Sequence, residues 1–157
     1  MRKILIPVDG SPQSLAAVRA VIMQARREPI AAIHLLNVQP PMGAYISRFL
    51  DRAVIRDFQR EEGERALAEA RRALDGAGLP YEVHIRVGRA ARAIAAVADE
   101  LGVHEIVMGA EGGSILTNIR LWLLVTAVRR HANLPVIVVM SPAARRPSAA
   151  APSGAAA

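Results

Sequence analysis

Five short apolar runs, separated by four helix-patterned segments, constrain the fold of this chain more than any other feature. The runs are Lys3–Val8 (KILIPV), Ile33–Val38 (IHLLNV), Tyr81–Val87 (YEVHIRV), Glu105–Gly109 and Pro135–Met140 (PVIVVM). The first is continuously apolar, as expected of a strand covered on both faces. Apolar strands that alternate with helices point to a parallel sheet, and right-handed crossovers put helices on both sides of it. The expected fold class is therefore α/β: a single doubly wound, Rossmann-like domain with a five-stranded parallel sheet.

Local signals set the element boundaries. Ser11-Pro12 supplies an N-cap followed by proline at the first helical position. Leu15, Val18, Ile22 and Ala25 then mark one face of a helix running to Arg27. Residues 39–53, with Tyr45 and Phe49, read as a long loop, and such loops in compact domains often carry function. A charged helix is expected from Val54 to Leu74, closed by Gly76-Ala77-Gly78. Alanine-rich Arg89–Leu101 is stopped by Gly102, and Ile119–His131 completes the helices. Arg129, Arg130 and His131 sit where cations favour a helix C-terminus. Residues 142–157 are rich in Pro, Ala and Ser and can bury nothing, so 1–141 is the expected domain and 142–157 a disordered tail.

Composition narrows the classes of function. The chain has 157 residues, enough for one domain with a real core. Hydrophobic residues make up 52% and aromatic ones only 3%, so that core must be aliphatic. With no cysteine there is no disulfide and no thiolate chemistry, which fits a reducing compartment. No apolar run approaches the roughly 20 residues needed to cross a bilayer, and the start lacks a signal-peptide core, so a cytoplasmic protein without membrane contact is expected. Net charge is +6 and the pI about 11.1, yet every basic residue but Lys3 is arginine. Through residues 52–75 these arginines interleave with acids as on a solvated helix face, and aromatics for base stacking are nearly absent. Nucleic acid is not an expected partner.

Two strand ends carry chemistry. Open doubly wound sheets bind ligands beyond the carboxyl ends of their strands, where strand order reverses. After the first strand stands Asp9-Gly10-Ser11; after the fourth, Gly109-Ala110-Glu111-Gly112-Gly113, read as a turn whose amides can face a phosphate. Asp9 lies two residues before the N-cap, which leaves its carboxylate for ribose hydroxyls or an adenine amine. It equally fits a turn aspartate bonded to its own backbone.

Taken together, ILIPVDGS (4–11), LLNV (35–38), IVMGAEGG (106–113) and RRHANLPVIVV (129–139) resemble the universal stress protein family across residues 1–141. Their order and spacing are far more specific than any one of them. The resemblance implies sheet order 3-2-1-4-5, a homodimer formed through the last strands, and a role in stress survival. An apolar PVIVV edge fits such cover, since exposed it invites aggregation. The resemblance also implies a nucleotide site. Gly109 and Gly112 match the first half of a Gly-x2-Gly-x9-Gly-Ser/Thr motif, Asp9 the aspartate after strand one, and Val38 the adenine-contacting backbone. Pro7 and Met108 match positions lining the adenine pocket.

The second half of the motif departs from the family. Trp122 stands where glycine belongs and Leu123 where Ser or Thr belongs. An indole takes up volume that glycine leaves to phosphate oxygens, and Leu123 has no hydroxyl to donate. Glu111, often basic in the family, adds roughly 1 kcal/mol of repulsion to a triphosphate at contact distance even in water. ATP binding is therefore expected to be weakened or lost, while adenosine or AMP remains acceptable through Asp9 and Val38. The segment Leu121–Val128 is apolar nearly all round, whereas a helix on a sheet needs one apolar stripe. Trp122 and Leu123 are expected to fill the vacated phosphate pocket as core; the alternative is a surface for a protein partner.

Other chemistry finds no support. His34, His84, His104 and His131 lack ligand spacing, so no metal is expected, and no serine has an evident base and orienting acid. The expected function is a stress-response regulatory or interaction module, not an enzyme. The alternative is a working ATP- or adenosine-nucleotide-binding member.

Overall fold

The computed structural model describes residues 1–111 and 115–141. Strands β1 (Arg2–Pro7), β2 (Ile30–Gln39), β3 (Glu82–Val87), β4 (Glu105–Glu111) and β5 (Val136–Ser141) alternate with helices α1 (Pro12–Ala25), α2 (Arg52–Gly76), α3 (Ala90–Leu101) and α4 (Ile115–His131). The sheet is parallel throughout, in the order β3-β2-β1-β4-β5. This is the doubly wound α/β architecture expected from the strand–helix alternation. The tail, 142–157, lies outside the described residues.

Strand alternation divides the core into two layers. Ile4, Ile6, Val8, Ile33, Leu35 and Val107 pack under Ala17, Val18 and Val21 of α1 and Leu67, Ala70 and Leu74 of α2. Leu5, Leu36, Ile106 and Met108 pack under Ile94, Val97 and Ala98 of α3 and Val125 and Val128 of α4. All of these side chains are aliphatic or thioether, as the scarcity of aromatic residues requires.

The helix ends follow the sequence signals. Ser11 caps α1, its hydroxyl accepting from the Ser14 amide at 3.2 Å, with Pro12 in the first turn. Gly102 ends α3 in the left-handed conformation, φ 59°. Within the long loop, Ile46–Arg48 forms a single 3-10 turn, flanked by Tyr45 and Phe49 in edge-to-face contact.

Three local expectations change. α4 begins at Ile115, four residues earlier than its apolar pattern alone indicates. β4 does not stop at Gly109 but runs to Glu111, because Gly109, Ala110 and Glu111 pair with Val139, Met140 and Ser141 of β5. The segment read as the start of a turn is therefore sheet. Trp122 and Leu123 are not core: they are 66% and 55% exposed, while, among the described side chains of α4, Val125 and Val128 are buried. A bulky residue contributes to a pocket only if the helix turns it inward. The α4 stripe that meets α3 and the sheet faces away from that pair.

Candidate functional site

The site is set by the way β1 and β4 part. Their ladder comprises Ile4–Glu105 and Leu5–Ile106, whereas β1 stays paired with β2 to Pro7 and β4 with β5 to Glu111. β1 is followed by α1, which packs with α2 on one face of the sheet, and β4 is followed by α4, which packs with α3 on the other. The result is a crevice at the carboxyl end of the sheet, where doubly wound proteins place ligands.

Asp9 sits at its rim, exposed, in the turn between β1 and α1. Its Oδ1 accepts a hydrogen bond from the Ser11 amide at 2.9 Å. Partial burial pushes its pKa up, but the Ser11 hydroxyl and amide and the Ser14 hydroxyl outweigh this and hold it below the ordinary carboxylate value. Asp9 is thus an ionised turn aspartate, and the expectation that its carboxylate lies free of the cap is corrected for this oxygen. The turn also needs Gly10 at φ 83°, where a Cβ would meet the Ala66 backbone of α2 at 3.3 Å.

Beneath the turn lies a polar chain that the sequence did not flag. Asn37, 3% exposed, donates from Nδ2 to the Val8 carbonyl at 2.8 Å and accepts from Gln39 Nε2 at 2.7 Å. The Val8 amide donates to the Leu36 carbonyl at 2.8 Å. The residues just before Asp9 are therefore tied to the end of β2 by backbone and side chain together. A buried amide followed by glutamine at the end of an apolar strand was the available signal.

Pro7, Val38 and Met108 stand near the carboxyl ends of neighbouring strands β1, β2 and β4, on the α3–α4 face of the sheet. Val38 and Met108 belong to that core layer, and Pro7 alternates with Leu5. Gly109 points to the other face. A Cβ there would overlap the Gln13 carbonyl in the first turn of α1, so the missing side chain lets helix backbone lie directly on β4. Gly112 lies outside the described residues. The structure thus brings Pro7, Asp9, Val38 and Met108 to one end of the sheet and assigns Gly109 a packing duty. A separate groove of about 560 Å³, lined in part by Arg92, His104, His131 and Leu134, opens at the amino ends of β4 and β5, away from this crevice.

The fold defines a doubly wound α/β protein with a crevice at its switch point. The profile of the universal stress protein family matches residues 1–140, and the chain belongs to that family. A universal stress protein of Methanocaldococcus jannaschii is 30% identical over 143 residues, covering 90% of this chain and 83% of the relative. Among solved structures, a universal stress protein family protein from Arabidopsis thaliana with AMP bound superposes with a TM-score of 0.66 at 18% identity. It covers 95% of this chain and 97% of its own. The universal stress protein from Archaeoglobus fulgidus in complex with dAMP gives 0.62 at 23%, covering 88% and 98%. Among the described residues, no helix is long and apolar enough to cross a membrane.

Proposed function

We propose that this chain is a stress-response regulatory or interaction module, active as a homodimer in the cytoplasm. Its crevice holds the adenosine part of a nucleotide and has weakened or lost ATP binding. The domain is residues 1–141, with 142–157 as an appended tail. Asp9 accepts from the ribose or the adenine amine, Val38 offers backbone to adenine, and Pro7 and Met108 line the base. Gly109 and Gly112 shape the phosphate end.

The observation that carries the reading is the Trp122-Leu123 pair. The family motif asks there for a glycine and a hydroxyl; this chain has neither, and both side chains stand in solvent on α4. The adenosine side keeps its parts, with Asp9 ionised and its turn anchored through Asn37. The complexes of relatives with AMP and dAMP agree with a ligand of one phosphate. We read the module as a binder and not as an enzyme.

Dimerisation is supported by β5. It is the edge of the sheet, yet Ile137, Val138 and Met140 are 40%, 36% and 61% exposed. An apolar edge of this kind is a template for a second strand, and pairing two copies covers it. Trp122 and Leu123 add apolar surface on α4 that suits a protein partner.

Calorimetric titration with AMP and adenosine tests the ligand, and sedimentation equilibrium tests the assembly. Wild type should bind AMP and Asp9→Ala should lose at least tenfold in affinity, while Val138→Lys should shift dimer to monomer. Silence toward every adenosine ligand by a folded dimer would leave only the interaction role.

A further inference from the structure

His34 and His84 are fifty residues apart in sequence, but the pairing of β2 with β3 brings them together. The register sets His34 opposite Glu82 and Leu36 opposite His84, so all four side chains share the α3 face of the sheet. His34 Nδ1 lies 3.2 Å from His84 Nε2 and 3.5 Å from Glu82 Oε2. His84 Nε2 is 3.9 Å from the same carboxylate oxygen. His34 is 5% exposed, His84 partly buried, and Glu82 reaches in from solvent.

These three separations have the dimensions of a metal site. Zinc bound tetrahedrally at 2.0–2.2 Å holds neighbouring ligand atoms about 3.3 Å apart. Two imidazoles and one carboxylate also form a donor set suited to zinc. A hydrogen-bonded His–His pair explains only the 3.2 Å contact. The register brings Glu82 to the same point, so that three donor atoms, and not two, converge there. We propose that His34 Nδ1, His84 Nε2 and Glu82 Oε2 bind a zinc-class divalent cation, with solvent completing its coordination on the exposed side.

The charge arrangement permits this. Burial draws the His34 pKa down, opposed by Glu82 and assisted by His84 and Lys3, so the ring is neutral at physiological pH, as a ligand must be. The ring whose N–H bridges the pair moves that proton to its other nitrogen when the ion enters, and both lone pairs then face the metal. Lys3 is the cation whose charge acts on His34, and its ammonium is drawn aside to the Leu101 carbonyl at 3.5 Å. The ion would staple edge strand β3 to β2, on the strand that also carries Val38 to the nucleotide crevice. The site does not depend on the nucleotide reading.

The test uses the untagged full chain, stripped with chelator and titrated with Zn2+ by calorimetry and with Co2+ by visible absorption. One ion per chain is expected, with the intense Co2+ bands of a tetrahedral site and a raised Tm. Loss of an outer-shell partner costs roughly 10–100-fold in affinity, so Glu82→Gln and His84→Asn should each cost at least that much. His131→Asn should leave binding unchanged. Glu82 is exposed, so Glu82→Gln decides the matter even if His84→Asn fails to fold. No saturable zinc binding by wild type, binding that survives Glu82→Gln unchanged, or binding lost with His131→Asn would overturn the proposal.

Discussion

On the β1 side of the crevice the chain is held by directed polar bonds. Asp9 accepts from Ser11, Ser11 caps α1, and Asn37 ties the Val8 carbonyl to β2. On the β4 side it is held by contact: Gly109 lets the Gln13 backbone lie on the sheet, and β5 carries the strand on to Glu111. Polar bonds fix the direction of a carboxylate and leave it facing solvent; close backbone packing fixes the position of a strand. The β1 side is therefore built to present a group. The β4 side is built to support one, and α4, which follows it, carries Trp122 and Leu123 exposed.

Substitutions on the two sides should separate these modes of construction. Gly109→Ala should have the largest effect, because the new methyl overlaps backbone that cannot turn aside. A loss on the order of 4 kcal/mol or failure to fold is expected, read by urea denaturation. Gly43→Ala, with open space around it, is the control and should stay within about 0.5 kcal/mol. A mild Gly109→Ala would mean that α1 yields and that the contrast is false.

Asn37→Ala strips a buried bond from the Val8 carbonyl and should cost about 2 kcal/mol. It should also weaken AMP binding, since it frees the turn that aims Asp9. Unchanged AMP affinity in a destabilised variant would separate the network from the site.

Asp9→Asn should cost about 1 kcal/mol at neutral pH, the worth of the bonds its charge strengthens. The folded pKa lies below the ordinary 3.8, so this stability is fully present above 3.8 and is lost as pH falls through the lower folded value. The gap between wild type and variant should therefore close below pH 3.8 in acid denaturation. A gap constant with pH would show that charge is not the cause.

Trp122→Ala should have the smallest effect on the fold, within about 0.5 kcal/mol for an exposed site. An indole packed as core would cost about 3–5 kcal/mol instead. Pull-down or sedimentation of the same variant then reads whether the indole serves a partner.

The strand–helix alternation and the caps were legible because each is local: apolar runs, Ser11-Pro12 and Gly102 act on their own neighbours. Sheet order, Pro7, Val38 and Met108 came through the family resemblance, and Asp9 and Gly109 through their place after β1 and β4. The duty of Gly109 was not legible, since its reason is a helix backbone from near the start of the chain. The same holds for His34, Glu82 and His84, which meet only through strand register. Apolar composition at Leu121–Val128 gave the helix, but it did not give the direction of Trp122, which is set by the stripe that packs on α3.

The most direct test of the account is competitive calorimetry of the wild-type protein with Mg-ATP and AMP, with Trp122→Gly/Leu123→Ser alongside. The account predicts that wild type takes AMP at least as tightly as Mg-ATP and that the double variant gains affinity for Mg-ATP alone. Micromolar Mg-ATP binding by wild type, tenfold or more tighter than AMP, would contradict it.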